Sequence, residues 1–126
     1  APAPTEIYTL CDRLLEYGLL SEQRESDGRK RRLFSITKEG ARELEEWRNS
    51  PSDQKIEMRD LATLKVFFGA DPVPIAEEQI ELHQQHLARY LEIKKAGPIP
   101  GGPARALDSG IAIEREILKI WKAYLE

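Results

Sequence analysis

Five cationic side chains crowd one predicted turn: Arg24 before Asp27-Gly28, and Arg29, Lys30, Arg31 and Arg32 after it. Side chains of this kind at a projecting turn suit phosphate. Each one releases condensed counterions from a polyanion, and the planar arginine fork can grip two oxygens at once. The competing reading is a solvated, charged hairpin tip. His83 and His86 lie three residues apart, a helical spacing that can chelate a metal. Only Glu81 is close to them in sequence, so no metal site is expected and His83 reads as a satisfied interface residue. Cys11 falls on an apolar helix face, where a reactive thiol is not expected. The many carboxylates form no pair with a nucleophile or with a glycine-rich phosphate loop. Neither catalysis nor a cofactor is therefore expected.

The chain that must position these residues has 126 amino acids and a net charge of −3. Such a length allows one ordinary domain or two small ones. The overall balance is not the footprint of a whole-surface nucleic-acid binder, so any DNA-binding case must rest on local charge. A single cysteine permits no internal disulfide, which fits a reducing cytoplasm. There is no basic-then-apolar leader and no apolar run of about 18 residues, so neither secretion nor membrane spanning is expected.

Periodicity divides the chain into elements. Ile7, Leu10, Cys11 and Leu14 follow i, i+3, i+4, i+7 spacing and predict a helix from Thr5 to Tyr17, with Pro4 in its first turn and Gly18 closing it. Leu19 to Ile36 reads as a β-hairpin. If Asp27 and Gly28 are the two central turn residues, Glu25 faces Lys30, Arg24 faces Arg31, Ser21 faces Phe34, and Leu19 faces Ile36. Phe34 and Ile36 then share one inward face. Thr37 should cap a second helix running to about Trp47, with Ala41, Leu44 and Trp47 as its buried stripe. Asn49-Ser50-Pro51-Ser52 reads as a linker. Beyond it come a predicted helix over Ile56 to Phe68, a turn over Gly69 to Pro74, a long helix over Ile75 to Lys95, a Pro/Gly loop over Gly97 to Pro103, and a last helix over Leu107 to Leu125. The long helix carries a seam of Ala76, Ile80, His83, Leu87, Tyr90 and Lys94. The last helix is apolar on two adjacent stripes, Ile111/Leu118/Trp121/Leu125 and Ile113/Ile117/Ile120/Tyr124. One stripe can pack on its own chain. The other calls for a partner, and a second copy is the simplest.

Two stretches carry a family resemblance. Tyr8-Thr9-Leu10-Cys11-Asp12-Arg13-Leu14, followed by Gly18-Leu19, is similar to the recognition-helix pattern of the PadR family of bacterial transcriptional regulators. Arg31 to Gly40, ending in Leu44 and Trp47, is similar to that family's second wing strand and the Thr-x-x-Gly opening of its next helix. Residues 56–126, with Gly110-Ile111-Ala112 and Trp121, resemble its helical C-terminal region. Cys11 stands where Leu is usual, Thr9 where Pro is common, Phe34 where Tyr is common, and Asp12 where a basic residue is frequent. Family members carry two helices before the recognition helix, so a fragment is expected here.

The resemblance implies a mainly α fold with one β-hairpin: a partial winged helix-turn-helix over residues 1–50, followed by an α-helical dimerisation domain over 51–126. It also implies a repressor acting as a homodimer on a palindromic operator and responsive to an effector. The expected DNA contacts are Thr5, Tyr8 and Thr9 on the first helix and Arg29, Lys30, Arg31 and Arg32 on the wing, with Tyr8 on the backbone as the matching family Tyr is. Trp121 and Tyr124 are the expected surface for a small aromatic effector. The alternative is a helical dimerisation or adaptor protein whose winged-helix remnant does not touch DNA. Net acidity favours that alternative, and the cationic wing opposes it.

Overall fold

The computed structural model describes residues 3–126 and divides the chain into two compact units, the first ending at Ile56 and the second spanning Glu57–Glu126. This boundary lies six residues beyond the linker-based expectation at residue 50.

The first unit contains helix α1 (Pro4–Glu16), strands β1 (Leu20–Arg24) and β2 (Arg32–Ile36), and helix α2 (Lys38–Asn49). Pro4 occupies the first turn of α1, where its missing N–H costs no bond. The Glu6 carboxylate accepts from the Ala3 N–H at 2.8 Å. At the other end Gly18 adopts φ 71°. There the Leu19 N–H reaches back to the Leu14 carbonyl at 2.9 Å, and the Gly18 N–H to Leu15 at 3.0 Å. A left-handed residue is needed to turn those donors inward, and glycine takes that conformation without a Cβ penalty. Thr37 caps α2 by accepting from the Gly40 N–H at 3.0 Å. Its own hydroxyl donates to the Gly18 carbonyl at 2.7 Å, so one side chain ties the start of α2 to the end of α1.

The strands pair antiparallel, but one residue away from the expected register. Leu20 faces Ile36, Ser21 faces Ser35, Glu22 faces Phe34, and Arg24 faces Arg32. The turn is longer than a two-residue Asp-Gly loop: Glu25 N–H donates to Arg31 O at 3.1 Å, and Gly28 and Lys30 take positive φ while Asp27 does not. A type I′ turn needs positive φ at both central residues, so the Asp-Gly signal is met only by its glycine. The shift brings Glu22, rather than Ser21, onto the half-buried face beside Phe34. Ala41, Leu44 and Trp47, predicted as buried, are exposed in this unit, as are Ile7, Leu10, Leu14 and Ile36.

The second unit is built from α3 (Leu61–Phe67), α4 (Pro72–Lys95), α5 (Gly102–Lys122) and a closing 3₁₀ turn (Ala123–Leu125). Residues 56–60 are not helical, contrary to the expected start at Ile56. Asp60 sets the start instead, accepting from the Thr63 N–H at 3.0 Å as an N-cap. Met58, Leu61, Leu64 and Phe68 are exposed, and Ala62 and Val66 are the half-buried residues. The two long helices begin earlier than periodicity indicated. Asp71 caps α4, with its carboxylate accepting from Val73 N–H at 3.0 Å and Pro72 in the first turn. Pro103 sits in the first turn of α5. Proline there reads as a loop signal, yet it forfeits only a donor that has no helical partner.

Ala76, Ile111, Leu118 and Trp121 form the buried core of this unit. The Tyr90 ring packs over Gly110, where an added Cβ would lie 3.2 Å from ring carbon Cε2. Both polar positions on the α4 seam meet an acid on α5: His83 Nδ1 is 2.6 Å from Glu114 Oε2, and Lys94 Nζ is 2.7 Å from Asp108 Oδ1. Leu125 leaves the predicted inner stripe because the 3₁₀ turn changes the residue period at the end of the helix. The second apolar stripe is exposed at Ile113 (51 %), Ile120 (54 %) and Tyr124 and half-buried at Ile117. No described helix is long and apolar enough to cross a membrane.

Candidate nucleic-acid interface

Thr5, Tyr8 and Thr9 are all exposed on α1, away from half-buried Cys11. The Thr9 hydroxyl donates to the Thr5 carbonyl at 3.0 Å, which fixes its rotamer without burying it. Thr5 and Thr9 line a shallow concavity together with Arg13. Sequence reasoning did not single out Arg13. Its signal was present, since it continues the Thr5, Thr9 series by one more step of four.

Arg32 joins α1 to the wing. Its Nε donates to Glu22 Oε1 at 2.6 Å and its Nη2 to Glu22 Oε2 at 3.2 Å. The same Nη2 reaches Asp12 Oδ1 at 2.7 Å. The guanidinium also lies 5.0 Å from the centre of the Phe34 ring. Arg32 was expected on phosphate; in the structure its guanidinium is engaged by Glu22 and Asp12, with 23 % of the side chain exposed. The Arg32 hydrogen bond holds the Glu22 carboxyl below the usual carboxylate range, against the opposing effect of desolvation, and Arg24 adds to the lowering. The two carboxylates raise the Arg32 guanidinium pKa in turn.

Two acids on α1 are engaged within the unit. Asp12 is paired with Arg32, and Glu6 is engaged at the helix N-terminus. Of the remaining wing cations, Arg31 pairs with Glu25 at 3.2 Å and Arg24 with Glu22 at 3.2 Å, both arginines staying largely exposed. Arg29 and Lys30 make no ion pair among the described residues and occupy the loop itself. The unit thus presents exposed hydroxyl and phenol groups on a helix beside a cationic loop, with one arginine fixing their spacing.

The expected effector residues lie in the second unit. Trp121 is buried and its ring centre is 5.5 Å from that of Tyr124, which is exposed. Trp121 lines a cleft of about 270 Å³ shared with Asp60, Gln79, His83, Ile117 and Ile120, whereas Tyr124 lies outside that lining.

No protein-family model matches the sequence, and no curated protein matches it significantly. Solved structures do match. Bacillus subtilis PadR in complex with operator DNA superposes with a TM-score of 0.81 at 16 % identity, over 99 % of this chain and 78 % of that one. The same protein in complex with p-coumaric acid gives 0.77, again at 16 % identity over 99 % and 78 %. The smu.1604c protein of Streptococcus mutans gives 0.79 at 22 % identity, over 98 % and 79 %. The PadR-like transcriptional regulator BC1756 of Bacillus cereus gives 0.77 at 20 % identity, over 94 % and 72 %. The chain therefore has the mainly helical fold, with a single antiparallel hairpin, of the PadR-like transcriptional regulators.

Proposed function

We propose that the chain is a DNA-binding transcriptional regulator that acts as a homodimer. In this reading α1 faces the major groove through Thr5, Tyr8, Thr9 and Arg13. Arg29 and Lys30 sit on phosphate or reach the minor groove, and Arg31 reaches phosphate across its pair with Glu25. Arg32 acts as a positioning residue: it holds the wing at a fixed distance from α1 and keeps Asp12 and Glu22 neutralised. The observation that carries the reading is this bridge, because it makes one rigid surface from a polar helix face and a cationic loop. Similarity to an operator-bound PadR supports it. Dimerisation would cover the open Ile113/Ile120 stripe and bring two wings onto two half-sites. A small aromatic effector at Trp121 and Tyr124 would then bias their separation. The PadR complex with p-coumaric acid supports that part.

The test is fluorescence anisotropy on labelled duplex DNA over a range of salt concentrations. Reversing charge at Arg29 and Lys30 together removes two cations from each wing, so it should weaken binding to every duplex and reduce the salt slope of the dimer by about 4. Arg32→Ala should weaken binding while changing the slope less. Unchanged affinity in the charge-reversed variant would favour the adaptor alternative.

A further inference from the structure

His83, His86 and Glu114 converge in the second unit, although 31 residues separate His83 from Glu114. One ligand atom from each lies within 4.8 Å of the other two. Glu114 is buried, with 8 % of its surface exposed, and it aims both carboxylate oxygens at imidazole nitrogens. Oε2 is 2.6 Å from His83 Nδ1, and Oε1 is 3.6 Å from His86 Nδ1. The two rings meet edge to face, 5.8 Å apart at an interplanar angle of 83°, so they are not stacked against each other.

We propose that these three side chains form a binding site for a divalent transition metal of the zinc type. Two imidazoles and one carboxylate are a borderline donor set that suits Zn²⁺ and its neighbours and disfavours Mg²⁺ or Ca²⁺. Donors around a tetrahedral zinc, each about 2.1 Å from the ion, stand roughly 3.4 Å apart. His86 Nδ1 and Glu114 Oε1, 3.6 Å apart, are near that separation, and His83 Nδ1 must draw back by about 1 Å from Oε2. Three protein ligands leave a fourth position open. His83 lines the cleft that also contains Asp60 and Gln79, so solvent can reach the site from that side. A metal here would pin α4 to α5 beside Trp121. Coordination at His83 Nδ1 would replace its hydrogen bond to Glu114, the ring's single N–H then lying at Nε2.

The experiment is titration of the metal-free chain with Co²⁺, read by visible absorption, and with Zn²⁺, read by calorimetry. One metal per chain, visible bands of a four- or five-coordinate cobalt site and displacement by Zn²⁺ are expected. His86→Ala removes a half-exposed ligand with little risk to folding and should weaken binding by at least about tenfold. Glu114→Gln should weaken it further, with circular dichroism confirming that the helices remain. Glu81→Gln, on the exposed face of the same helix, should bind as the parent does. Absence of stoichiometric binding, or equal affinity in the parent and His86→Ala, would overturn the proposal.

Discussion

A methyl group at Gly40 would stand 2.1 Å from the Leu19 carbonyl oxygen and 2.9 Å from Ile36 Cγ1. The first neighbour is backbone and cannot rotate away, so Gly40→Ala must push α2 off the hairpin. A loss of about 1–3 kcal/mol is expected from the urea midpoint, as for overpacked cores. Gly102→Ala, with open space around it, should change stability little. The Thr-x-x-Gly pattern was legible in the sequence, yet its reason was not, because the clash involves a backbone atom 21 residues away. Glu22 gives a second expectation. Its folded pKa is depressed by Arg32, so its stabilising contribution is complete above the ordinary glutamate range and disappears as pH falls through the lowered value. The urea midpoints of the parent and Glu22→Gln should differ at neutral pH and converge as the pH falls beneath the ordinary glutamate range and through the lowered value. A gap that persisted into acid would contradict the ion-pair role. The His83–Glu114 contact lay beyond reach for the same reason as the Gly40 clash: periodicity reports which face a residue occupies, not which distant side chain it meets.

At the scale of elements, local signals located every helix and the hairpin but misjudged several ends. Thr37 and Gly18 carried enough information because a cap hydroxyl and a left-handed glycine act within a few residues of themselves. The Asp-Gly signal failed by one register position because Lys30, not Asp27, takes the second positive φ. Pro72 and Pro103 concealed two helix starts, since proline reads as a breaker and yet fits the first turn. The stripe Ala41/Leu44/Trp47 was apolar in pattern but meets no core within its unit, so patterning overstated its burial. On α5 the first stripe is buried except at Leu125, and the second is open at Ile113, Ile120 and Tyr124. Exposed isoleucines on one face favour a second copy over solvent. Sedimentation should show a dimer for the parent and a monomer of unchanged helicity for the double variant Ile113→Lys, Ile120→Lys. A monomeric parent at tens of micromolar would contradict the proposed dimer.

For the whole molecule, a net charge of −3 conceals an uneven distribution. Glu6, Asp12, Glu22 and Glu25 are spent on internal pairs and a helix cap, and Arg29 and Lys30 project from the loop without an ion pair among the described residues. DNA affinity is thus expected from a small part of an otherwise acidic surface, with strong salt dependence. The most direct test is enrichment of binding duplexes from a random pool, followed by affinity measurement at near-physiological salt. The account predicts a recurring site that binds the chain at least about a thousandfold more tightly than unselected DNA, with affinity for both lowered when Arg29 and Lys30 are reversed in charge. Equal binding of selected and unselected duplexes at that salt would contradict it.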